Sequence, residues 1–477
     1  MHQDVPHEIW IEIFSHLPRD ALLQVHLSQR RFRAISLPLL FREFVLLQVA
    51  DRRRGASTSL SADGIHNLDN TVASRRLQFW TSSKIAPCVR VCRVTGFRDL
   101  RSRWPVLDEF FDALPHFTNL HRLTIFEIDY NPTFLQNIRR LLNLTHLEVH
   151  SSNLAKLVGA SDLATLPPLP VSKFTHRGSG DPQYWFPFLR RATLSHFSTS
   201  YDEWLFAQVL SGDPFPCVTH LELSTGKGST MFANLRLLAK FPATEVLTVR
   251  YRPTARKADL TPLVGVLPLL KQYEGPDDLL HLLFPISSFH RLILFGMTEP
   301  DDRLARLRSI NVPNHITFLD IKFTDFDHAS LCDLCGLFPH LVDLRIEVEV
   351  PHWTDDDYEE YYLGKEVLWD AYDFFGDLAK DLPFPACIQK FVIHWKYEDG
   401  ELHLEYGAPD VRLLQDALVS KYSSMKAFWA DSSPEFLYYW RNDEVAVQYF
   451  REDEEDDDYW EDTHKFSAEL KALWDRI

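Results

Sequence analysis

Two cysteine pairs have spacings that could bind a metal ion or undergo redox chemistry. Cys332 and Cys335 form a Cys-x-x-Cys pair, and Cys88 and Cys92 lie four residues apart. A zinc site of this type needs a second Cys or His pair at a suitable distance, which neither pair has. The first pair lies among leucines of a helix-compatible segment, so core packing is the favoured interpretation. We therefore predict no metal ligand and no cofactor.

Motifs for enzymatic chemistry are absent from the sequence. It contains no Gly-rich phosphate loop, no Gly-x-Ser-x-Gly, no His-Glu-x-x-His and no kinase-like set. Among 21 scattered histidines, His146, His150 and His220 fall on or beside predicted strands without a carboxylate that the spacing would place nearby. Surface or partner contacts are favoured over general-base catalysis. We expect a non-catalytic protein, with a hydrolase or transferase of unrecognised site as the minor alternative.

Length and composition indicate a globular protein of a reducing compartment. The chain has 477 residues, 45% of them hydrophobic, which is ample material for a sizeable core. No run of eighteen apolar residues occurs, and the first ten residues do not resemble a secretory leader. Six cysteines are too few for a disulfide framework in a chain of this length. We expect a cytoplasmic or nuclear location, or both, and no membrane partner.

Negative charge is concentrated in the carboxy-terminal quarter. The net charge is -17, and residues 350–477 alone hold 12 Lys/Arg against 31 Asp/Glu. Nucleic-acid affinity rests on basic side chains that neutralise phosphates. The basic cluster at residues 52–54 is too short to reverse this balance. No nucleic-acid partner is expected.

A recurring apolar-x-x-apolar-x-apolar pattern organises most of the chain. The clearest copies begin at residues 120, 144, 218, 316 and 341, and looser copies begin near 89, 189, 244, 270, 289, 388 and 425. On a strand, the last two apolar residues of each copy point to one face. The segments between copies are helix-compatible, and several end in Phe-Pro or Leu-Pro. The pattern predicts an α/β solenoid, a curved parallel sheet with outer helices, rather than an ordinary α/β domain.

The first 45 residues follow a different pattern, which predicts three short helices. Ile9, Ile13 and Leu17 are four residues apart, so they share one face of a helix that Asp4 can cap and Pro18 ends. Three short helices in about forty residues offer too little interior for independent stability. The bundle therefore needs a partner protein, or it serves only to cap the first repeat.

Both parts of the chain carry a family resemblance. Residues 85–435 resemble the leucine-rich-repeat family, although the consensus asparagine after the strand is mostly missing and the period is irregular. The first 45 residues resemble an F-box, with Val5 where Leu is common and Phe32 where Trp is frequent. The motifs that carry the second resemblance are Pro6, Glu8-Ile9, Ile13-Phe14-Ser15, Leu17-Pro18, Leu22-Leu23, Leu27-Ser28, Arg30, Phe32-Arg33 and Leu39-Leu40-Phe41. The chain thus looks like a fungal-like F-box protein with divergent leucine-rich repeats.

The resemblance implies a substrate-recognition subunit of an SCF-type (Skp-cullin-F-box) ubiquitin ligase. The F-box-like helices would dock on the Skp-family adaptor, and through it on the cullin and RING subunits, while the repeats bind a protein client for ubiquitination. The implied adaptor contacts are Pro6, Ile9, Ile13, Phe14, Leu17, Pro18, Leu22, Leu23, Phe32 and Leu40. The alternative is a leucine-rich-repeat scaffold without a ligase role.

The sequence predicts four regions and one client surface. The regions are an F-box-like domain at 1–45, a linker and cap at 46–84, a solenoid at 85–435 with insertions near 151–185 and 350–385, and an acidic segment at 436–477. Residues between the inward apolar positions should line the strand face that binds the client. The candidates are Arg122, His146, Arg191, His220, Arg250 and Arg291. Such a row suits an acidic or phosphorylated peptide, or is an ordinary solvated strand face.

Overall fold

The computed structural model describes the chain in two compact units. The first comprises residues 1–244 with 254–258, and the second 245–253 with 259–477. The described residues are 5–47, 70–96, 105–128, 131–151, 168–178, 185, 189–201, 212–225, 238–250, 267–283, 289–310, 315–324, 326–349, 369–396, 411–433, 436–441 and 447–450.

A three-helix bundle opens the first unit. Its helices are α1 (His7–Ser15), α2 (Arg19–Ser28) and α3 (Arg30–Leu40). Pro6 and Pro18 stand immediately before α1 and α2, where a residue without a backbone N–H leaves no helical hydrogen bond unmade. Asp4, the predicted cap of α1, lies outside the described residues. The buried interior of the bundle consists of Phe14, Leu22, Ile35 and Leu40.

Seven parallel strands follow the bundle in the first unit, each paired with the next in chain order. The strands are β1 (Glu43–Leu47), β2 (Val91–Thr95), β3 (Arg122–Phe126), β4 (His146–His150), β5 (Lys173–Arg177), β6 (His196–Tyr201) and β7 (His220–Thr225). The helices between them are α4 (Asn70–Trp80), α5 (Pro105–Ala113) and α6 (Pro132–Arg139), and these pack on one another in order. The described helices thus join β1 to β4 in succession, which gives this part of the unit an α/β arrangement.

Every strand of the first unit buries two alternate residues on one face of the sheet. In register these residues form two continuous rows, which explains the spacing of the apolar pattern. They are Phe44, Leu46, Cys92, Val94, Leu123, Ile125, Leu147, Val149, Phe174, His176, Phe197, Thr199, Leu221 and Leu223. Only the second row contains polar side chains, on β5 and β6.

A tight turn precedes most strands and explains the first apolar residue of the pattern. The N–H of Leu144 donates to the carbonyl of Leu141 at 3.1 Å, and the N–H of Leu120 donates to that of Phe117 at 3.0 Å. The same bond recurs in the second unit, where the N–H of Leu341 donates to Phe338 at 3.2 Å. The first leucine of each copy is thus buried beneath a turn, before the strand begins.

The second unit repeats this arrangement. Seven parallel strands, β8 (Val246–Arg250), β9 (Gln272–Gly275), β10 (Arg291–Leu294), β11 (Phe318–Phe323), β12 (Asp343–Glu349), β13 (Lys390–Lys396) and β14 (Ala427–Ser433), are followed by antiparallel β15 (Phe436–Arg441) and β16 (Val447–Phe450). Its helices are α7 (Leu280–Leu283), α8 (Pro300–Ile310), α9 (His328–Leu337), α10 (Trp369–Lys380) and α11 (Val411–Lys421). The predicted α/β architecture of parallel strands joined by helices is confirmed.

The boundaries differ from the prediction at three places. Strand β1 precedes the predicted start of the repeats, β5 lies inside the predicted insertion at 151–185, and β15 and β16 lie in the predicted acidic segment. The copy of the apolar pattern predicted near residue 189 was also assigned to the wrong residues. Its strand begins at His196, because Leu189 pairs with Leu169 in an isolated bridge while Leu194 and Phe197 fill the repeat positions. Across the described ranges, no helix has the length and apolar character needed to cross a membrane.

Candidate functional site

Two exposed apolar stripes lie on the bundle. The α1 stripe consists of Ile9 and Ile13, which are four residues apart and therefore share one side of the helix. The side chains of Ile9 and Ile13 are 50% and 45% exposed. The α2 stripe consists of Leu23 and Leu27, of which Leu27 is 77% exposed. Isoleucine and leucine at such exposure, repeated at helical spacing, are typical of a surface that a partner covers.

The ten predicted adaptor contacts divide by burial. Phe14, Leu22 and Leu40 are interior residues of the bundle, and Leu17 and Phe32 are half-buried against them. These five side chains form or border the interior of the bundle. The Phe14 and Phe32 rings, for example, pack edge to face with their centroids 5.3 Å apart. The residues left at the surface are Pro6, Ile9, Ile13, Pro18 and Leu23. A docked protein would therefore contact the second group directly.

The bundle is joined to the repeats through aromatic side chains. Phe41, just after α3, lies 5.3 Å from Trp80 and 5.6 Å from Phe79 of α4, measured between ring centroids. Phe44 on β1 lies 5.0 Å from the same Trp80. These contacts leave the α1 stripe exposed, so capping the repeats and presenting an apolar surface involve different residues of the bundle.

The face of the sheet opposite the two buried rows is called the outer strand face. On it, five neighbouring strands of the first unit place basic and imidazole side chains in one row. We call this the imidazole row, and its members, one each from β3 to β7, are Arg122, His146, Lys173, His196 and His220. The His196 and His220 rings stack nearly parallel, with centroids 4.1 Å apart and planes 7° apart. Three of the six predicted client residues thus lie in a single row.

Each histidine of this row follows a hydroxyl residue that fixes its tautomer. The Ser195 hydroxyl lies 3.1 Å from the Ser172 carbonyl, to which it donates, and 3.0 Å from Nδ1 of His196. Because the hydroxyl proton goes to the carbonyl, Nδ1 donates and Nε2 keeps its lone pair. Thr145-His146 and Thr219-His220 repeat the arrangement. In the neutral state the three rings therefore offer acceptors at Nε2.

The row carries less positive charge than its composition suggests. Burial, with smaller contributions from the neighbouring His220 and Lys173, lowers the pKa of His196 to about 4. Burial, followed by Lys173 and Arg122, also lowers the pKa of His146. Neutral pH thus leaves positive charge chiefly on Arg122 and Lys173.

Arg122 is already engaged by a carboxylate of the next strand. Its guanidinium donates to Glu148 at 2.8 Å, and the Thr124 hydroxyl donates to the same carboxylate at 3.2 Å. His150 lies 3.1 Å from the other oxygen. The nearby His150 imidazole, followed by the Arg122 guanidinium, lowers the pKa of Glu148 to about 2. Among the row's cations, Lys173 alone has no ion-pair partner within the described residues.

The remaining predicted client residues lie elsewhere. Arg191 is in the turn before β6, where it bonds to the Asp213 carbonyl and stacks over Phe215 at 4.9 Å, so its predicted place on a strand was wrong. Arg250 and Arg291 belong to the second unit. Arg291 stacks over Phe318 at 3.7 Å. The predicted row of arginine forks is not formed by the first unit.

One cluster contains the ligand types that metal ions prefer. His328 and Cys332 lie one turn apart on α9, and Asp381 follows α10. One potential ligand atom from each lies within 4.8 Å of the others. Of the Cys-x-x-Cys pair for which core packing was favoured, Cys335 is buried and Cys332 is half-buried. Sequence reasoning missed the other two residues, although His-x-x-x-Cys on a helix was a usable signal.

No protein-family model matches this chain, and no curated protein matches it either.

Proposed function

We propose that this chain is a substrate-recognition subunit of an SCF-type ubiquitin ligase. The observation that carries the proposal is the α1 stripe: two isoleucines about half exposed on a helix that packs into the bundle through Trp10 and Phe14 instead. Burying the exposed half of each isoleucine stabilises a complex by about 1 kcal/mol, roughly half the value for a fully exposed side chain. The resemblance of the first 45 residues to an F-box names the partner, a Skp-family adaptor linked to cullin and RING subunits.

The proposal assigns client binding to the outer strand face of the first unit. Two residues further along each strand, the same face carries Thr124, Glu148, Thr175, Ser198 and Glu222, and the Thr124 and Ser198 hydroxyls donate to the two carboxylates. Their neighbours supply Nε2 acceptors from the histidines and one cation at Lys173. Hydrogen-bonding groups on a regular strand face suit an extended peptide of a protein client better than a small molecule.

In this proposal the chain contributes position rather than chemistry. The adaptor side brings the client close to a ubiquitin-conjugating enzyme held by the other subunits, and proximity raises the rate of transfer to client lysines. All six cysteines are free thiols. That redox state agrees with the proposed location in the cytoplasm, the nucleus or both.

A repeat scaffold without a ligase role is the second candidate. The observation that favours it is the packing of Phe41 and Phe44 on Trp80, through which the bundle shields the end of the first unit. Capping alone requires no exposed stripe on α1. The two candidates therefore differ in what happens when the stripe is altered.

The test replaces Ile9 and Ile13 together by Glu and measures adaptor binding. We expect the double variant to lose binding to a purified Skp-family adaptor at least about a hundredfold, because two charges would be buried in an apolar contact. Isothermal titration with the full chain provides the measurement.

Ile11 supplies the matched control. It is the same residue type on the same helix, 39% exposed, but it points away from the α1 stripe. Ile11→Glu should bind the adaptor as the wild type does, and both variants should keep the wild-type circular dichroism. Equal binding by the double variant and the wild type, or no binding by the wild type, would favour the scaffold.

A further inference from the structure

The cluster of His328, Cys332 and Asp381 has geometry close to that of a metal centre. In a tetrahedral zinc site the metal lies about 2.0–2.3 Å from N, O and S ligands, which places neighbouring ligand atoms roughly 3–4 Å apart. The Cys332 sulfur lies 3.8 Å from Nδ1 of His328. The three ligand atoms of the cluster all lie within 4.8 Å of one another. Coordination through Nδ1 would require rotation of the His328 and Cys332 side chains.

The histidine is oriented by a hydrogen bond from its other nitrogen. Nε2 of His328 lies 2.7 Å from the carbonyl oxygen of Asp381, and a carbonyl only accepts. Nε2 therefore carries the proton and Nδ1 keeps the lone pair, and the Cys332 sulfur lies at similar distances from the two nitrogens, 3.8 Å from Nδ1 and 3.9 Å from Nε2. A histidine that binds a metal through one nitrogen and donates to a carbonyl through the other is the usual arrangement in metal sites.

The local charge favours a cation. Asp327 caps α9 by accepting from the Ser330 N–H at 2.7 Å, and Asp333 lies one residue beyond Cys332. Two cations oppose this charge among the described residues: Arg308 pairs with Asp333, and the Lys421 ammonium lies 4.0 Å from the Asp381 carboxylate and 2.6 Å from the Leu382 carbonyl. His328 and Cys332 are half-buried and Asp381 is exposed, so an ion could enter from solvent.

We propose that His328, Cys332 and Asp381 form a zinc-binding site that ties the first turn of α9 to the segment after α10. One imidazole, one thiolate and one carboxylate suit Zn²⁺, whereas Mg²⁺ and Ca²⁺ prefer oxygen ligands alone. Three protein ligands leave the fourth tetrahedral position to water. The site is independent of the proposed ligase role.

Binding requires the Cys332 thiol to lose its proton. The S–H bond breaks, the sulfur lone pair forms the bond to Zn²⁺, and the proton passes to solvent, so affinity falls as the pH is lowered. Desolvation, followed by the charges of Asp381, Asp333 and Asp327, raises the pKa of this thiol in the metal-free chain. Zn²⁺ must therefore displace a proton that the free protein holds.

The experiment titrates the chelator-treated full chain with Co²⁺ and Zn²⁺. Co²⁺ bound to a thiolate gives a near-ultraviolet charge-transfer band, which distinguishes this site from carboxylates or histidines elsewhere in the chain. We expect the band in the wild type, its loss in Cys332→Ser, and at least about tenfold weaker Zn²⁺ affinity in His328→Ala and Asp381→Asn. Bound Zn²⁺ should also raise the Tm of the wild type and not that of Cys332→Ser.

Two residues of the same types serve as controls. Cys217→Ser and His340→Ala replace an exposed thiol and an exposed imidazole away from the cluster, and both should bind both metals as the wild type does. Should His328→Ala fold poorly, His328→Gln keeps a donor for the Asp381 carbonyl. A wild type without the thiolate band, a band that persists in Cys332→Ser, or unchanged Zn²⁺ affinity in both His328 variants would overturn the proposal.

Discussion

Arg303 is a buried charge whose partners come from three segments of the second unit. Its side chain is 1% exposed and donates to the Asp277 carboxylate at 3.3 Å and to the carbonyls of Phe295 and Gly296 at 3.0 and 2.9 Å. It also donates to the Lys322 carbonyl. A guanidinium with several fixed acceptors is stable in the interior only while all of them remain.

Removing the carboxylate therefore tests this network. We expect Asp277→Ala to lower the free energy of unfolding of the second unit by about 3–5 kcal/mol, because Arg303 would keep a buried charge without its counter-ion. Asp333→Ala is the control: its pair with Arg308 on the same helix α8 is about half exposed, and it should cost under about 1 kcal/mol. Urea unfolding measures both. Similar losses from the two variants would contradict this account.

His176 is a polar residue in a row of the first unit that is otherwise apolar apart from Thr199. It is fully buried, and neither ring nitrogen has a hydrogen-bond partner in the part of the chain that the structure describes. Burial, followed by the nearby His150, lowers its pKa to about 4. The unfolded chain binds a proton below about pH 6.5 while the folded chain does not. Protonation of the unfolded chain therefore leaves the stability unaffected above about pH 6.5 and lowers it progressively as the pH falls toward 4.

Replacing His176 by Leu should flatten this pH dependence. Each unit of pKa shift corresponds to about 1.4 kcal/mol, so the contribution of His176 is about 3 kcal/mol at most. At pH 7 the variant should be about 1 kcal/mol more stable, since an unpaired buried polar group is removed. Urea midpoints between pH 7 and 4.5 measure the effect. Some pH dependence of the urea midpoint should remain because the pKa of His196 is also about 4. An unchanged slope would show that His176 does not titrate as argued.

At the scale of the elements, the sequence predicts strands where both core positions are aliphatic. Copies such as Leu144-x-x-Leu147-x-Val149 became β4 with the predicted faces. Strand β5 was missed because its second core position is His176, which does not fit an apolar pattern. On β9, Gly275 takes that position because a Cβ there would lie 2.6 Å from the Tyr273 hydroxyl. These exceptions depend on how neighbouring side chains fill the core, which spacing alone does not reveal.

The proposed client-binding role of the outer strand face can be tested at Lys173. Lys173→Glu reverses the charge at the centre of the imidazole row without touching the core, since the side chain is exposed. We expect this variant to capture fewer client proteins from a cell lysate while adaptor binding and Tm stay unchanged. Quantitative affinity purification compares the captured sets. Arg76→Glu, an exposed charge reversal on α4, is the control and should retain the clients. Full retention by Lys173→Glu would place client binding elsewhere.

At the scale of the whole molecule, the proposed adaptor-docking surface and the proposed client-binding surface consist of different residues. The apolar stripe on α1 was predictable from four-residue spacing, but the burial of Phe14, Leu22 and Leu40 was not, because helical spacing does not show which apolar residues face the interior. The cluster of His328, Cys332 and Asp381 could not be predicted from spacing because Asp381 lies far along the chain from Cys332. The bundle also packs on Trp80, so point variants of α1 are better tests than deletion of the first helices.

Hydrogen exchange of the full chain with and without a purified Skp-family adaptor tests the central claim most directly. The account predicts slower exchange on adaptor binding at backbone amides of α1 and α2, with unchanged exchange in β3–β7. Those strands remain available for a client, so the two surfaces should respond separately. No protection of α1, or protection confined to the strand face, would contradict the assignment of this chain as a ligase subunit.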